Sequence, residues 1–381
     1  MSAVVATAAI ARAGDAAVGA APDIEDAKPR ADIVLLGVGT VGRAVLTRLS
    51  ALADVADLRL RALANTRTRL QSADAIDPVA AIERLRDGEA ADLQRSIAVL
   101  GAQDAVPRVV VDATASADVA ACHALWLRQG LHVVTANKLA IGGVAANERA
   151  VRAAARAGAT VYGDSATVGA GLPLLRSVRA LRAGGDRILS LAGVVSGSLG
   201  WLFATFDGTR PFSACLREAH ARGFTEPDAR ADLSGEDMRR KLLILVRAAG
   251  FALEPDDVTV ESLVPEALRD RAAAPTDADW ERCDEPLQRR LDSARRHGRV
   301  LRPVIRFDDH GRARAGLETL DRDDPLAQSR GCDNRVAIRS TRYATRPLLI
   351  EGPGAGAEVT AAALLDDVLS IAASAPKHRS A

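Results

Sequence analysis

The feature that most constrains the fold is a glycine motif placed between a strand and a helix. The apolar run 31–36 predicts a short strand, the segment Gly37-Val-Gly-Thr-Val-Gly42 follows, and helical spacing continues over 43–53. In such a GxGxxG motif the first glycine permits a tight turn, the second admits a pyrophosphate, and the third brings helix and strand close. The sequence therefore predicts dinucleotide binding, through Gly37, Gly39, Thr40, Val41 and Gly42. The alternative is a glycine-rich turn in another α/β fold.

The end of the second predicted strand, residues 58–64, bears on the choice of cofactor. A site selective for NAD usually places Asp or Glu here to hold the ribose hydroxyls. This strand ends instead in Asn65-Thr66-Arg67, so no carboxylate repels a 2′-phosphate and Arg67 can pair with one. We expect Asn65 and Arg67 to contact the cofactor, and NADP to be accepted and preferred over NAD. The alternative is that Arg67 is a solvated surface arginine.

Two further buried strands end in polar residues. Residues 109–116 end with Thr114 and Ser116, and residues 131–138 end with Lys138. In an open parallel sheet, ligands collect beyond the carboxyl ends of the strands. We therefore expect Thr114, Ser116 and Lys138 to face the cofactor cleft.

Residues 226–241 combine acids and a lysine at helical spacing. Asp237 and Lys241 are four residues apart, so they share the helix face on which the following apolar side chains lie. Ser234 is predicted to cap this helix, with Asp237 as the acid of a capping box. The two side chains are either a buried ion pair that stabilises the helix or a catalytic pair, and this stretch leaves both interpretations open.

Lysine is scarce in a chain that otherwise uses arginine. Of the 50 basic residues only Lys28, Lys138, Lys241 and Lys377 are lysines, and the first and last lie in predicted tails. Unlike a guanidinium, a lysine ammonium exchanges a proton readily when its pKa is shifted by burial. The scarcity therefore favours a chemical role for Lys138 and Lys241.

Composition excludes several classes of function. The 381 residues suffice for two domains. A net charge of +1 and 3% aromatic residues argue against a surface that binds nucleic acid or an anionic membrane. The uncharged run 189–206 contains glycines and serines and is interpreted as a strand, a turn and a helix start. Without CxxC spacing or a secretory signal, we expect free thiols in a cytoplasmic protein; the cysteines are Cys122, Cys215, Cys283 and Cys332.

The second half of the chain predicts another sheet. Four short runs have the composition of antiparallel strands, and a last helix is expected over 360–373; the runs are 304–308, 312–317, 335–340 and 348–351.

Seven segments, in order, resemble homoserine dehydrogenase. Together they cover nearly all of residues 31–375, and an ordered set of this kind is far more specific than any one motif. They are GVGTVG (37–42), VVVDATAS (109–116), VTANK (134–138), ATVGAGLP (166–173), GVVSGS (193–198), GFTEPDARADLSGEDMRRKLLIL (223–245) and GPGAGAEVTA (352–361).

The resemblance implies an NAD(P)-dependent oxidoreductase that interconverts L-homoserine and L-aspartate 4-semialdehyde, in the biosynthesis of threonine, methionine and isoleucine. The implied fold is α/β, a Rossmann-type doubly wound parallel sheet plus an α/β substrate-binding and dimerisation domain, in a homodimer. Four regions follow: a disordered extension (1–30), the NAD(P)-binding domain (31–160), the substrate and dimerisation domain (161–347), and a segment that returns to the nucleotide domain (348–381).

The resemblance also assigns roles to residues. It makes Lys241 the acid–base group and Asp237 its partner, and it places Lys138 at the junction of cofactor and substrate. The acids that match those holding the substrate ammonium are Glu226 and Asp232, and the loop near the nicotinamide contains Gly354 and Ala355.

This chain departs from the family pattern at two points. The family's sodium site takes the backbone carbonyls that match Val168, Ala170 and Leu172, plus a glutamate where this chain has Ser165. The resemblance thus implies a monovalent cation such as sodium on these carbonyls, an expectation that Ser165 weakens and for which the neighbouring Asp164 could compensate. The second departure is Gly200-Trp201, which replaces an Asn-Tyr pair. Because the chain ends at Ala381, neither an ACT domain, with its feedback control, nor an aspartate kinase module is expected.

Two rival functions remain. Another Rossmann oxidoreductase, such as aspartate-semialdehyde dehydrogenase, would fit the nucleotide motif, but that enzyme needs a nucleophilic cysteine and no cysteine here lies in a recognisable site. The other rival is a non-catalytic NAD(P)-binding sensor.

Overall fold

The computed structural model describes residues 28–101 and 106–374. The extension predicted to be disordered, 1–30, lies outside the described residues except for its last three.

The elements of the described residues follow in chain order. The strands are β1 (Arg30–Leu36), β2 (Asp57–Ala64), β3 (Thr68–Gln71), β4 (Glu89–Ala90), β5 (Arg108–Asp112), β6 (His132–Thr135), β7 (Tyr162–Gly163), β8 (Ile188–Val194), β9 (Val258–Val260), β10 (Arg299–Asp308), β11 (Ala313–Asp321), β12 (Asp333–Ser340) and β13 (Leu348–Pro353). The helices are α1 (Thr40–Ala51), α2 (Ala81–Arg86), α3 (Leu93–Ala98), α4 (Ala117–Arg128), α5 (Ala145–Ala157), α6 (Leu174–Ala183), α7 (Gly197–Thr205), α8 (Phe212–Ala221), α9 (Arg230–Leu233), α10 (Glu236–Ala248), α11 (Glu266–Arg269), α12 (Asp277–Trp280), α13 (Asp284–Arg296) and α14 (Ala357–Ser374).

The first sheet has the strand order β4-β3-β2-β1-β5-β6-β7. Strands β1, β2, β5, β6 and β7 are parallel, and the order reverses between β1 and β5. Both faces of β1 are buried: Ile33 and Leu35 pack in one apolar cluster with α1 and α14, and Val34 and Leu36 pack in another with α4 and α5. The predicted doubly wound α/β fold is confirmed, and its reversal point is where such sheets bind ligands.

One edge of this sheet contains two strands beyond the predicted ones. Strands β3 and β4 pair antiparallel next to β2. The side chain of Asn65 accepts hydrogen bonds from the backbone N–H groups of Arg67 (2.7 Å) and Thr68 (2.8 Å). This Asx turn reverses the chain directly after β2, so the polar tripeptide begins a hairpin.

The second sheet has the order β13-β12-β8-β10-β11-β9 and is antiparallel except for the pair β9–β11. Helices α6, α7, α10 and α13 pack against it. The four predicted strands are present, and β9 is a further strand that was not predicted. The first turn of α10 lies near the first sheet, since Oδ1 of Asp237 is 3.5 Å from Nζ of Lys138, which follows β6.

The C-terminal region contributes to both sheets. Strand β13 is the edge of the second sheet, whereas α14 packs against α1 and β1 of the first. The described part of the segment 348–381 thus belongs to both halves of the molecule: residues before 354 extend the second sheet, and residues after 356 pack on the first. At the other proposed boundary, β7 lies beyond residue 160 and still belongs to the first sheet.

Across residues 28–101 and 106–374, no helix is long and apolar enough to cross a membrane. The uncharged run 189–206 is divided between β8 and α7, as its glycines and serines predicted.

Candidate active site

A cleft of about 970 Å³ lies between the two sheets. Its walls come from the loops after β5 and β6, the turn after β8, the segment 224–241 and the connection between β13 and α14. The structure therefore brings all the predicted catalytic and substrate-binding residues into one cleft, together with two of those predicted to bind the cofactor: Lys138, Glu226, Asp232, Asp237 and Lys241, with Thr114 and Ala355.

The glycine motif has the geometry of an anion site. Gly37 has φ +88°, and a Cβ there would lie 2.8 Å from the Ala113 carbonyl oxygen. A Cβ on Gly42 would lie 2.0 Å from the carbonyl oxygen of Gly37, whereas one on Gly39 would have nothing within 4 Å. Gly39 is also the N-cap of α1 and gives it no side-chain hydrogen bond. The open space beside Gly39 and the N–H groups of the first turn of α1, which have no partner within the helix, suit a pyrophosphate.

Asn65 and Arg67 differ in whether their side chains already bond to the protein. The Asn65 carboxamide oxygen holds the Asx turn, so its role in the structure is to shape the loop. The exposed side chain of Arg67 makes no hydrogen bond or ion pair with any residue that the structure describes. Its guanidinium is therefore free to meet a phosphate at the end of β2.

Thr114 and Ser116 are held rigidly at the end of β5. Thr114 donates from its backbone N–H (2.9 Å) and its hydroxyl (2.7 Å) to Oδ1 of Asp112. The hydroxyl of Ser116 accepts from the Val119 N–H at 3.3 Å and caps α4. Asn137 donates to the carbonyl of Ser116 at 2.9 Å, which ties the loop after β6 to the loop after β5.

Behind this wall lies a buried polar chain that sequence reasoning missed. Burial raises the pKa of the Tyr162 phenol, which therefore keeps its proton. Tyr162 then donates to Nδ1 of His123 (3.0 Å), and Nε2 of His123 donates to Oδ2 of Asp112 (3.0 Å). His123 and Tyr162 are 39 residues apart, and no local spacing signals their contact.

The start of α10 differs from the prediction. Gly235, with φ +80°, is the N-cap, and the predicted Ser234 capping box is wrong. A Cβ at Gly235 would lie 2.8 Å from Cγ1 of Val260, so only glycine fits this left-handed position. Ser234 instead accepts from the N–H of Glu236 (3.3 Å) and donates to the carbonyl of Ala231 (3.1 Å). Asp237 is thereby freed from capping.

Lys241 is fixed by two acceptors. Its Nζ donates to the carbonyl of Val195 at the end of β8 (2.7 Å) and lies 2.7 Å from Oδ2 of Asp237. An ammonium has three donors, so one remains for a ligand. The side chain of Lys241 is 12% exposed and that of Asp237 is 42% exposed. Both residues line the cleft, with the Lys241 side chain nearly buried and that of Asp237 partly exposed, so the pair is open to a ligand.

Asp237 is shared between two ammonium groups. Nζ of Lys138 lies 3.5 Å from its Oδ1. Burial raises the pKa of Asp237, but the charges of Lys241 and Lys138 outweigh that effect and hold the pKa well below its usual range. Burial lowers the pKa of Lys138, and Asp237 opposes this effect only in part. The carboxylate therefore stays ionised between two lysines.

The two acids predicted to hold the substrate ammonium have different environments. Asp232 accepts from the hydroxyl of Ser198 and from the backbone N–H of Glu226, both at 2.8 Å. Burial raises its pKa, and these hydrogen bonds oppose that rise. The side chain of Glu226 is exposed at the cleft. Asp232 thus positions the loop from which Glu226 reaches the cavity.

Trp201, at one of the departures from the family pattern, supports the same loop. Its ring packs against Phe224 (centroids 5.3 Å apart), and the guanidinium of Arg222 lies 5.5 Å from its centroid. Phe224 lines the cleft, so Trp201 anchors the segment that carries Glu226.

Gly354 and Ala355 follow β13. A Cβ on Gly354 would lie 1.9 Å from Cγ of Asn334, so close packing alone requires glycine there. Ala355 lines the cleft.

The carboxylate that was expected to complete a sodium site is already neutralised. Arg152 and Arg179 donate to the two oxygens of Asp164 at 2.6 Å, and its side chain is fully buried. Asp164 therefore does not compensate for the missing glutamate. Ser165 donates to Oδ1 of Asp367 (2.8 Å) and accepts from Nε of Arg176 (3.3 Å).

One of the three backbone carbonyls of the expected sodium site already accepts a hydrogen bond. Ala170 has φ +49° and Gly169 φ +77°, so the loop is sharply turned. The carbonyl of Leu172 accepts from the N–H of Leu174 at 2.8 Å. Within the described ranges there is also no cluster of three or more His, Cys, Asp or Glu side chains suited to a metal. With Val168 and Ala170 as the remaining carbonyl donors and no free carboxylate, this donor set does not fit a sodium ion.

Comparison with known proteins gives one consistent family. The model for homoserine dehydrogenase matches residues 173–369, and the model for the NAD-binding domain of homoserine dehydrogenase matches residues 37–164. The chain is 40% identical to the chloroplastic bifunctional aspartokinase/homoserine dehydrogenase 1 of Zea mays, over 88% of this chain and 38% of that protein. It thus spans about two fifths of the bifunctional relative.

A relative of similar length and a solved structure each match most of this chain. The homoserine dehydrogenase of Emericella nidulans is 32% identical, over 88% of this chain and 97% of that protein. The crystal structure of a Candida auris protein of unknown function superposes with a TM-score of 0.84 at 31% identity, covering 91% of this chain and 99% of that one.

Proposed function

We propose that this chain, which belongs to the homoserine dehydrogenase family, catalyses the reversible NAD(P)-dependent interconversion of L-homoserine and L-aspartate 4-semialdehyde. The observation that carries the proposal is the placement of Lys241. Its ammonium is fixed by Asp237 and Val195, keeps one free donor, and faces a cleft that the end of β5 and the acids of 226–232 share.

In the reducing direction a nicotinamide cofactor supplies hydride to the aldehyde carbon when bound. The free N–H of Lys241 donates a hydrogen bond to the carbonyl oxygen and then transfers its proton to the forming alkoxide. Asp237 stabilises the ammonium form and orients it through the 2.7 Å contact. In the oxidising direction Lys241 starts as the neutral amine, accepts the hydroxyl proton and ends as the ammonium, so one group serves both directions.

The substrate is held by its charged amino-acid end. Glu226 is placed to pair with the α-ammonium, and Asp232 supports Glu226 through its backbone N–H. Lys138, at the end of β6, lies where cofactor and substrate meet and shares Asp237 with Lys241. The resemblance assigns the ammonium to both Glu226 and Asp232 and the junction of cofactor and substrate to Lys138, and the positions of the three residues in the cleft support these assignments.

NADP is the proposed preferred cofactor. The loop after β2 offers the guanidinium of Arg67, which is unpaired among the residues that the structure describes, and its sequence Asn65-Thr66-Arg67 has no carboxylate that would repel a 2′-phosphate. The phosphate contacts are assigned to residues 37–42, and the nicotinamide end to Thr114, Ser116, Gly354 and Ala355. No cation enters the proposed mechanism, because the donor set near Ser165 does not fit one.

We also propose a homodimer that works in the cytoplasm. All four cysteines are free thiols in the structure, which suits a reducing compartment. Light scattering coupled to gel filtration tests the first point, and cell fractionation tests the second.

The test of function is an assay of the purified chain with L-homoserine and NADP⁺, followed by the absorbance of reduced cofactor. Turnover that depends on both compounds is expected. Cofactor binding without turnover would favour the sensor. Reduction of cofactor that requires aspartate semialdehyde together with inorganic phosphate would favour aspartate-semialdehyde dehydrogenase.

A further inference from the structure

The charged side chains that line the cleft differ in whether they are already paired. Most of them have a partner within the protein: Asp228 pairs with Arg230, Glu236 with Arg239, Asp232 with Ser198, and Asp237 lies between Lys138 and Lys241. These groups hold the cleft in shape, so a ligand would have to break an existing contact to recruit them fully.

Two charged side chains in the cleft have no such partner. In the portion of the chain that the structure describes, the side chains of Glu226 and Arg240 line the cavity and make no hydrogen bond or ion pair. They have opposite charge. An unpaired acid and an unpaired base in one cavity match a zwitterion, which carries both an ammonium and a carboxylate.

The position of Arg240 is set by its helix. It precedes Lys241 on α10, and its Cβ lies 3.1 Å from the point that a Cβ on Gly142 would occupy, so the base of the side chain packs against the loop after β6. Its neighbour Arg239 points elsewhere and donates to Glu236 at 2.6 Å. Of the two arginines in the first turns of α10, Arg240 is therefore the one that lines the cleft. No residue that the structure describes forms a hydrogen bond or an ion pair with its guanidinium.

We propose that Arg240 binds the α-carboxylate of the substrate, and so completes with Glu226 the recognition of an amino-acid zwitterion. A guanidinium presents a planar fork that matches a carboxylate with two parallel hydrogen bonds. Lys138 is the weaker candidate because its ammonium already lies 3.5 Å from Asp237. The inference rests on the proposed function, since it names which end of homoserine each side chain holds.

Two competitive inhibitors separate the two ends of the substrate. 4-Hydroxybutanoate keeps the carboxylate and the hydroxyl of homoserine but lacks its ammonium, whereas 3-amino-1-propanol keeps the ammonium and the hydroxyl but lacks the carboxylate. Inhibition constants for both are measured with the wild-type chain and with Arg240→Ala, Arg240→Lys and Glu226→Gln. Arg239→Ala is the matched control.

Arg240→Ala and Glu226→Gln are expected to weaken the binding of different inhibitors. Arg240→Ala weakens 4-hydroxybutanoate roughly 10- to 100-fold, as for the loss of a charged hydrogen-bonded contact, and leaves 3-amino-1-propanol nearly unchanged. Glu226→Gln has the opposite effect, Arg240→Lys recovers part of the loss, and Arg239→Ala changes neither inhibitor. NADPH binding and thermal unfolding show that each variant folds, and if Arg240→Ala does not fold, Arg240→Lys and Arg240→Gln take its place.

The outcomes separate the two proposals. If the wild type oxidises homoserine but Arg240→Ala leaves both inhibitors unchanged, or weakens both equally, the assignment of Arg240 is overturned and the enzyme function stands. If the wild type does not oxidise homoserine, the proposed function fails and the assignment of Arg240 fails with it.

Discussion

Oδ2 of Asp237 lies 2.7 Å from Nζ of Lys241, one helical turn along α10, and Oδ1 of Asp237 lies 3.5 Å from Nζ of Lys138. Lys138 follows β6 of the first sheet, whereas Lys241 belongs to a helix that packs on the second. One carboxylate thus connects the two halves of the molecule at the cleft. Any shift of one half against the other would change the position of the proposed acid–base group.

Glu226 is expected to act in binding rather than in chemistry. Glu226→Gln should raise KM for homoserine roughly 10- to 100-fold and change kcat much less, because a charged hydrogen bond to the ammonium is lost in the ground state and the transition state alike. Steady-state kinetics measure this. Glu236→Gln is the control, since Glu236 also lines the cleft but is paired with Arg239. An unaltered KM in Glu226→Gln would count against the role of Glu226.

Arg67 is expected to set cofactor preference. Arg67→Ala should lower the ratio of kcat/KM for NADP⁺ to that for NAD⁺ by about 10-fold or more, because the 2′-phosphate loses its guanidinium partner. The ratio is compared with that of Arg84→Ala, an exposed arginine on α2. A ratio that stays the same in Arg67→Ala would show that the arginine is only a solvated surface residue.

Sodium is expected to have no specific effect. The oxygens of Asp164 are taken by Arg152 and Arg179, and Ser165 is bound to Asp367. Replacing sodium with choline at constant ionic strength should leave kcat and the thermal unfolding temperature unchanged, because a bound ion would stabilise the native state by mass action. Saturable activation by sodium would contradict this expectation.

Asp164 is expected to contribute to stability in a pH-dependent way. Burial raises its pKa, but Arg152 and Arg179 outweigh that effect and lower it below the ordinary value of 3.8. The stabilisation is therefore fully present above pH 3.8 and is lost as the pH falls through the lowered pKa of the folded state.

Denaturant unfolding tests this directly. Asp164→Asn should lower the free energy of unfolding by about 3 kcal/mol near neutral pH, since it leaves two guanidinium groups without their buried partner, and by less in acid. Asp309→Asn removes an exposed ion pair with Arg187 and should cost less than about 1 kcal/mol. A difference for Asp164→Asn that does not change with pH would contradict the account.

Local sequence patterns predicted the elements that form the site. The glycine motif specified strand, turn and helix because each glycine meets a steric requirement within the motif or with the adjacent strand. The four-residue spacing of Asp237 and Lys241 placed both on one face of α10, whose period is fixed by helix geometry. These features were predictable because their causes lie within a few residues of one another.

Contacts between distant segments were not predictable in the same way. The N-cap of α10 is Gly235 because Val260 approaches it, and Val260 follows 25 residues later in the chain. The chain from Tyr162 through His123 to Asp112 crosses three separate elements. The availability of Arg240 also follows only from knowing that its neighbours in the cleft are paired.

The central claim is that the ammonium of Lys241 transfers the proton opposite the hydride. The most direct measurement is single-turnover and steady-state oxidation of homoserine by Lys241→Ala, with NADPH affinity measured on the same protein and Lys28→Ala as the control. The account predicts that kcat falls by roughly 10²- to 10⁴-fold while NADPH affinity is retained. A Lys241→Ala variant that binds NADPH and turns over homoserine at the wild-type rate would contradict it.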